Sequence, residues 1–122
     1  MNKNLIITAI TGALTIILGA FGAHVLQENL SVYELKSFET GVRYQMFHVL
    51  ALLFVNTYKV FNSRTKKSIS LFFFSGILFF SGSIYAITLG VDAKNIWFIT
   101  PFGGLLFIIG WLKIALFFNK NK

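Results

Sequence analysis

Long apolar stretches separated by short polar segments dominate the chain. Three of them, residues 5–26, 68–89 and 96–118, have the roughly 20 residues that a helix needs to cross a hydrocarbon core about 30 Å thick. A fourth stretch, residues 44–61, begins with polar side chains and becomes apolar after its first turn. The pattern predicts an all-α fold, an integral membrane four-helix bundle that occupies residues 1–122 as one domain.

The first apolar stretch also resembles the hydrophobic part of a signal peptide, with Ala20-Phe21-Gly22 as a small-residue cleavage site. Such a part is normally about 7–15 residues long, and this stretch is longer. It also carries Gly12, Gly19 and Gly22, which are typical of packed membrane helices. We therefore expect the first span to remain in the mature protein.

Composition points to lipid as the solvent. Of the 122 residues, 56% are hydrophobic and only 12% are charged, whereas soluble domains have about 25% charged residues. The formal charge of +7 is divided among segments between apolar stretches, so a nucleic-acid partner is not expected. Because the chain has no cysteine, disulfides, iron–sulfur clusters and thiolate-bound haem are excluded.

Basic residues are unevenly distributed between the two sides of the predicted bundle. The N-terminus, the second connection and the C-terminal tail hold Lys3, Lys59, Arg64, Lys66, Lys67, Lys120 and Lys122. The first and third connections hold Lys36, Arg43 and Lys94, together with the acidic residues Glu28, Glu34, Glu39 and Asp92. Since Lys and Arg are retained in the cytoplasm, both termini are predicted to be cytoplasmic, with the protein in a bacterial plasma (inner) membrane.

Two connections have features of their own. Residues 27–40 form a long connection for so small a bundle, and they predict a short surface helix or an ordered loop. Thr100 followed by Pro101 predicts the start of the last helix, with Thr100 as its N-cap and Pro101 at the first helical position.

Small residues recur on the predicted spans and indicate where helices pack closely. In lipid there is no hydrophobic force between helices, so close backbone approach at small residues supplies much of the attraction. The glycines that we assign to helix packing are Gly12, Gly19, Gly22, Gly82, Gly103, Gly104 and Gly110. We expect them to join the spans into a compact antiparallel bundle.

Polar side chains gather in the half of the bundle that is predicted to face outward. Polar groups are costly in a membrane and mark functional sites by default. The predicted polar binding cluster consists of His24, Glu39, Arg43, Tyr44, Gln45, His48, Ser81, Ser83 and Tyr85. Glu39 and Arg43 are four residues apart, a spacing that favours a charge pair on a helix.

Several kinds of chemistry are open to this cluster. His24 and His48 with Glu39 offer metal ligands, but they lack the paired spacing of a zinc motif, so neither a metal nor another cofactor is expected. A haem between the histidines, a proton relay and a purely structural role at the membrane interface are the alternatives. No nucleophile elbow or phosphate loop is present, and no catalytic residue is assigned.

Four motifs together resemble a known family. They are residues 19–24 (Gly-Ala-Phe-Gly-Ala-His), 43–52 (Arg-Tyr-Gln-Met-Phe-His-Val-Leu-Ala-Leu), 81–85 (Ser-Gly-Ser-Ile-Tyr) and 99–104 (Ile-Thr-Pro-Phe-Gly-Gly). In this order, and over nearly the whole chain, they resemble the domain-of-unknown-function 423 family of small bacterial membrane proteins. Vertebrate transmembrane protein 256 is similar. The resemblance implies a four-helix plasma-membrane protein and no assigned activity.

Within these motifs, His24, Tyr44, Gln45 and His48 match the family pattern. Arg43 does not, because the family often has Gln at that position, so the resemblance implies no role for Arg43.

Three classes of function follow as hypotheses. The first is a non-enzymatic membrane module that binds a lipid headgroup or a partner membrane protein through the polar cluster. The second is a small transporter or channel working as a homo-oligomer, with Thr8, Thr15, Ser81 and Ser83 along its path. The third is an enzyme acting on lipid with His24 or His48 as its base. We expect the first, and we expect no enzyme.

Overall fold

A computed structural model describes residues 2–121, which form four long helices joined by short connections. The helices are α1 (Asn2–His24), α2 (Val32–Thr57), α3 (Ser63–Thr88) and α4 (Ile99–Lys120). A 3-10 turn at Leu26–Glu28 and a short helix at Ala93–Ile96 lie in the connections. No strand occurs between residues 2 and 121, which confirms the all-α prediction.

Three helices of this described part are long and apolar enough to cross a membrane. They are Lys3–His24, Ser63–Thr88 and Ala93–Lys120, the last of which joins the short helix to α4. They contain or overlap the predicted first, third and fourth spans. Helix α2 is not among them, because four charged residues lie in its first twelve positions and polar residues recur along the rest.

Helix α2 begins at Val32, twelve residues before the predicted second span. Its N-cap is Ser31, whose side chain accepts from the Glu34 N–H while the Ser31 N–H donates to the Glu34 carboxylate at 3.0 Å. The polar connection predicted at residues 27–40 is therefore largely the first turns of α2. These hydrogen bonds lower the pKa of Glu34 below its ordinary 4.5, so the cap stabilises α2 above that pH and weakens as the pH falls through the lowered pKa.

Helix α4 also begins differently from the prediction. Its N-cap is Phe98 rather than Thr100, and no side chain caps it. Pro101 then lies within the first turn, where its missing N–H still costs no helical hydrogen bond. Thr100 is instead free to contact α3.

Neighbouring helices run antiparallel. Along the α1–α2 pair, Asn4 contacts Asn56, Gln45 contacts Thr15, and Gly22 lies against Phe38. Helices α2 and α3 pair Asn56 with Ser70 and Gln45 with Tyr85. Helices α3 and α4 pair Phe73 with Gly110 and Phe80 with Gly103. Each hairpin thus keeps one register along its length.

The apolar core lies among α2, α3 and α4. Leu52, Val55, Ile69 and Phe73 are completely buried there, and Phe107 of α4 closes the cluster. Helix α1 packs on α2 only through its threonine and glycine face. The isoleucines on its other faces are exposed, as expected for side chains that contact lipid.

Helix α3 contains a π-helical segment, Ile77–Ser81, between two α-helical parts. The N–H of Gly82 donates to the carbonyl of Ile77, five residues earlier, so one extra residue is accommodated in the turn. Gly76 and Ser81, which flank and end this segment, are both buried. Gly76 lies against Phe107 of α4, and Ser81 donates to the Gly41 carbonyl of α2.

Most of the glycines assigned to packing lie where a neighbouring helix is close. A methyl group added at Gly22 or Gly110 would overlap a buried phenylalanine ring, and one at Gly103 would overlap the backbone of Phe80. At Gly12 and Gly19 it would lie 3.3 Å from Val49 and 3.4 Å from Val42. These glycines allow the close helix contacts that the sequence predicted.

Two glycines behave differently from the prediction. A methyl group at Gly104 would make an ordinary contact of 3.8 Å with Phe80, and one at Gly82 would meet nothing within 4 Å. Gly82 follows the π-helical segment, which turns Ser81 and Ser83 toward the neighbouring helices instead. Helix contact at this level of α3 is therefore made by serine hydroxyls.

Charge divides the described chain into two ends. The acidic end, where α1 and α3 finish and α2 and α4 begin, carries Glu28, Glu34, Glu39 and Asp92 with three basic residues. The opposite, basic end carries Lys3, Lys59, Arg64, Lys66, Lys67 and Lys120, with Lys113 about two turns inside it, and no acidic residue among those described. Lys122, counted above with the tail, lies outside the described residues.

The close backbone contact at Gly103 and the open site at Gly82 predict opposite effects of alanine on stability at these two positions. Gly103→Ala should lower the free energy of unfolding by about 1–3 kcal/mol, because backbone cannot move aside cheaply. Gly82→Ala should raise it by about 0.4–1 kcal/mol, since its site has room and Ala restricts the unfolded chain. SDS titration of both variants in mixed micelles, followed by circular dichroism, measures the difference; equal effects would contradict the packing described here.

Candidate functional site

One face of α2 carries buried polar side chains at every one or two turns. Gln45, His48 and Asn56 are 4%, 5% and 8% exposed, and their spacing places them on the same side of the helix. We call these three residues the polar face of α2. Each of them makes hydrogen bonds to another helix, so the face joins α2 to all three of its neighbours.

The Gln45 amide connects three helices. Its Nε2 donates to Thr15 Oγ1 of α1 at 2.8 Å, and its Oε1 accepts from the Tyr85 hydroxyl of α3 at 2.7 Å. Thr15 in turn donates to the Thr11 carbonyl at 2.7 Å. Since Thr15 is only 1% exposed, this chain of hydrogen bonds runs through the interior.

Serine hydroxyls reinforce α3 on both sides of this link. Ser81 Oγ donates to the Gly41 carbonyl of α2 at 2.6 Å and is fully buried. Ser83 Oγ donates to the Phe80 carbonyl and shares a hydrogen bond with Thr100 of α4. Both hydroxyls are therefore engaged within the protein.

His48 connects α2 to α4. Its Nδ1 lies 2.7 Å from the Tyr44 carbonyl, and its Nε2 lies 3.0 Å from Trp111 Nε1. Because an indole N–H only donates and a carbonyl only accepts, the ring carries its proton on Nδ1 and accepts at Nε2. The ring also stacks on Phe107, with centroids 3.6 Å apart and planes 8° apart. Neither nitrogen is left for a metal or a substrate.

A further polar link lies toward the basic end and was not predicted as a site. Asn56 Nδ2 donates to the Leu52 carbonyl and to Ser70 Oγ, both at 2.9 Å, and its Oδ1 accepts from Asn4 Nδ2 at 3.2 Å. The signal in the sequence was Asn56 itself, an amide directly after the apolar run 49–55. A polar residue so placed indicates a partner on a neighbouring helix.

Four residues of the predicted cluster lie at the surface instead of in this interior. His24, Glu39, Arg43 and Tyr44 are exposed, and the Tyr44 ring stacks on Phe80 at 5.1 Å. The structure thus divides the nine predicted residues into an interior set and a surface set. The interior set comprises Gln45, His48, Ser81, Ser83 and Tyr85.

A shallow cavity of about 150 Å³ lies between α1 and α2 at the acidic end. We call it the outer groove; its lining residues are Gly19, Gly22, Ala23, Phe38, Glu39, Val42 and Arg43. The two glycines leave space beside α2, and the Phe38 ring fills part of it. Glu39 and Arg43, one helical turn apart, place an anionic and a cationic side chain on its wall.

The interior polar groups are satisfied without any ligand. Among the described residues, every buried side-chain nitrogen or oxygen has a hydrogen-bond partner. Within residues 2–121, no three His, Cys, Asp or Glu side chains lie close enough to hold a metal ion. The interior polar groups therefore join the helices to one another.

Comparison with known proteins identifies the family. The family described as a protein of unknown function (DUF423) matches residues 18–104, from the last two turns of α1 to the second turn of α4. This range covers most of the chain and includes the polar face of α2. The chain belongs to the DUF423 family.

Named relatives of this DUF423 protein are membrane proteins. A UPF0382 membrane protein of Haemophilus influenzae is 39% identical over 99% of this chain and 97% of its own length. One from Staphylococcus aureus is 39% identical over 95% and 94%, and the Escherichia coli K12 inner membrane protein YgdD is 37% identical over 88% and 82%. No solved structure matches the chain. The apolar helices and these relatives together establish a membrane protein.

The buried, hydrogen-bonded position of Gln45 predicts that replacing its side chain destabilises the protein. Gln45→Leu should lower the free energy of unfolding by about 1–2 kcal/mol, because Tyr85 and Thr15 lose their partner where water is scarce. Gln27→Leu, at an exposed site of the 3-10 turn, is the matched control and should change it by less than about 0.5 kcal/mol. SDS titration of the two variants tests this, and a stable Gln45→Leu protein would contradict the proposed link.

Proposed function

We propose that this DUF423 protein is a non-enzymatic module of the bacterial inner membrane that binds a phospholipid headgroup in its outer groove. The observation that carries the proposal is the exposed Glu39–Arg43 pair on the wall of that groove. The proposal includes a four-helix transmembrane bundle with both termini in the cytoplasm. The assignment to the inner membrane follows the E. coli relative, which is named an inner membrane protein.

The dimensions of α2 support its place as a fourth transmembrane helix. Its 26 residues give a length of about 39 Å, close to the 40–45 Å of a bilayer with its headgroups. The charged residues Glu34, Lys36, Glu39 and Arg43 all lie in its first half. The uncharged half that follows turns its polar face toward α1, α3 and α4, so lipid would meet mainly the apolar side chains.

Single-cysteine labelling tests this topology, since the chain has no native cysteine. Cysteines replace four exposed residues, one in each connection and one at the C-terminal end: Asn29, Val60, Asn95 and Asn121. In spheroplasts a membrane-impermeant maleimide should label positions 29 and 95, and positions 60 and 121 only after permeabilisation. Labelling of positions 29 and 60 from the same side would show that α2 does not cross.

The groove is suited to a zwitterionic headgroup. Arg43 presents a guanidinium for a lipid phosphate, and Glu39, one turn away, presents a carboxylate for a lipid ammonium group. Both lie in the part of α2 that would stand at headgroup level. Phosphatidylethanolamine has these two charges in sequence, so it is the headgroup class that fits the pair.

The geometry favours binding over the other two hypotheses. The hydroxyls proposed for a transport path, those of Thr8, Thr15, Ser81 and Ser83, donate to the protein's own carbonyls. His48, one of the two histidines considered as a base, has both ring nitrogens engaged. Lipid or partner contact at the surface requires none of these groups to change partners.

Lipid retention after purification tests the groove. In native mass spectrometry with mixed lipids, the lipid whose retention depends on Glu39 and Arg43 should be phosphatidylethanolamine rather than phosphatidylglycerol. Arg43→Gln should weaken retention about fivefold, the effect of one cation near a phosphate surface, and Glu39→Gln should remove the preference between the two lipids. Lys36→Gln and Glu28→Gln, which are exposed and outside the groove, are the matched controls. Unchanged retention in the groove variants would overturn the proposal.

A further inference from the structure

A second, larger cavity lies at the basic end of the molecule. It has a volume of about 780 Å³ and is bounded by the start of α1, the end of α2 and the start of α3. We call it the basic cavity. Its cationic lining residues are Lys3, Arg64, Lys66 and Lys67, and none of its lining residues is acidic.

The described chain offers no carboxylate to neutralise these four cations. Its acidic residues all lie at the other end, and Glu39 is eighteen residues before the end of α2, a distance of about 27 Å along the helix. This exceeds the Debye length of about 8 Å at physiological salt, so the carboxylates are screened from the cavity. An anion that approaches these cations from outside the described chain would meet no competing carboxylate.

Hydrogen-bond donors accompany the charges. The first turn of α3 lines the cavity with Ser63 and Arg64, whose N–H groups have no helical partner because they precede the first i→i−4 bonds. The Asn62 side chain accepts only from Thr65 N–H, at 2.8 Å. A helix start of this kind favours an anion, and here four side-chain cations surround it.

Hydrogen bonds between the helices fix the wall of the cavity. Asn4 and Asn56 line it and are joined by their hydrogen bond of 3.2 Å, which fixes α1 to α2. Asn56 is further bound to Ser70 of α3. The three helices that form the cavity are thus tied together directly beside it, so its shape does not depend on a ligand.

We propose that the basic cavity binds the phosphate of an anionic phospholipid from the adjacent leaflet. The cavity lies at the starts of α1 and α3, two helices that are long and apolar enough to cross a membrane, so in a bilayer its cations would lie at the depth of lipid phosphates. A smaller cavity of about 350 Å³ shares Arg64 and adds Lys113 and Lys120. The cationic surface therefore continues around the start of α3, which favours a lipid with net negative charge over a zwitterionic one.

This site is distinct from the outer groove in position, residues and lipid class. Its chemistry does not depend on which leaflet meets the basic end, because phosphates lie at both surfaces. The two proposals can therefore fail separately.

The test measures lipid binding by the purified full chain in detergent, using native mass spectrometry. The probes are phosphatidylglycerol, phosphatidylcholine and inorganic phosphate. The triple variant Arg64→Gln, Lys66→Gln, Lys67→Gln should bind phosphatidylglycerol on the order of a hundredfold more weakly, at about fivefold for each cation. The matched control, Lys36→Gln, Lys59→Gln, Lys94→Gln, removes the same charge outside the cavity and should bind as the original protein does.

Three outcomes would overturn the proposal. They are equal loss in the triple variant and its control, equal binding of phosphatidylcholine and phosphatidylglycerol, and binding of inorganic phosphate without phosphatidylglycerol. The last would assign the cavity to a free anion. Circular dichroism of each variant verifies the helical fold, and Arg64→Lys, which keeps the charge, should bind at least tenfold more tightly than the triple variant.

Discussion

The structure depends on one helix whose polar face packs against three apolar helices. Helix α2 carries Gln45, His48 and Asn56 on one face, and in lipid each of these groups needs a partner. Helix α1 supplies Thr15 and Asn4 as hydrogen-bond partners, α3 supplies Tyr85 and Ser70, and α4 supplies Trp111. Apolar contact alone would leave the rotation of each helix weakly defined, whereas these donors and acceptors fix one arrangement.

Glycines and hydroxyls bring the helices close enough for those bonds. Gly103 admits the backbone of Phe80, and the π-helical segment next to it turns Ser81 toward α2. Because their hydrogen bonds are made within the protein, five of the nine residues of the predicted polar cluster are not available to a ligand. The polar groups that are available to a ligand lie at the two ends of the molecule, in a mixed-charge groove at one end and a purely cationic cavity at the other.

Sequence reasoning succeeded where one local property decides the outcome. Apolar length located α1, α3 and α4, and small size located the close contacts at Gly22, Gly103 and Gly110. It failed where partners are distant in sequence. Nothing local distinguishes the buried Gln45 from the exposed Tyr44 beside it, and Gly82 could not be known to face open space without the π-helical turn. No local property of Trp111 indicates that its indole N–H donates to His48.

The hydrogen bonds of α2 also bear on how the protein is made. Helix α1 is synthesised first. Its threonine hydroxyls need no partner helix, because Thr8, Thr11 and Thr15 donate to carbonyls four residues earlier in α1 itself. In the proposed four-helix topology α2 enters next, and α1 then already offers Asn4 and Thr15 as partners, while Tyr85 and Trp111 follow only as α3 and α4 are synthesised. In that topology the polar side chains of α2 gain their partners in stages, as each following helix is made.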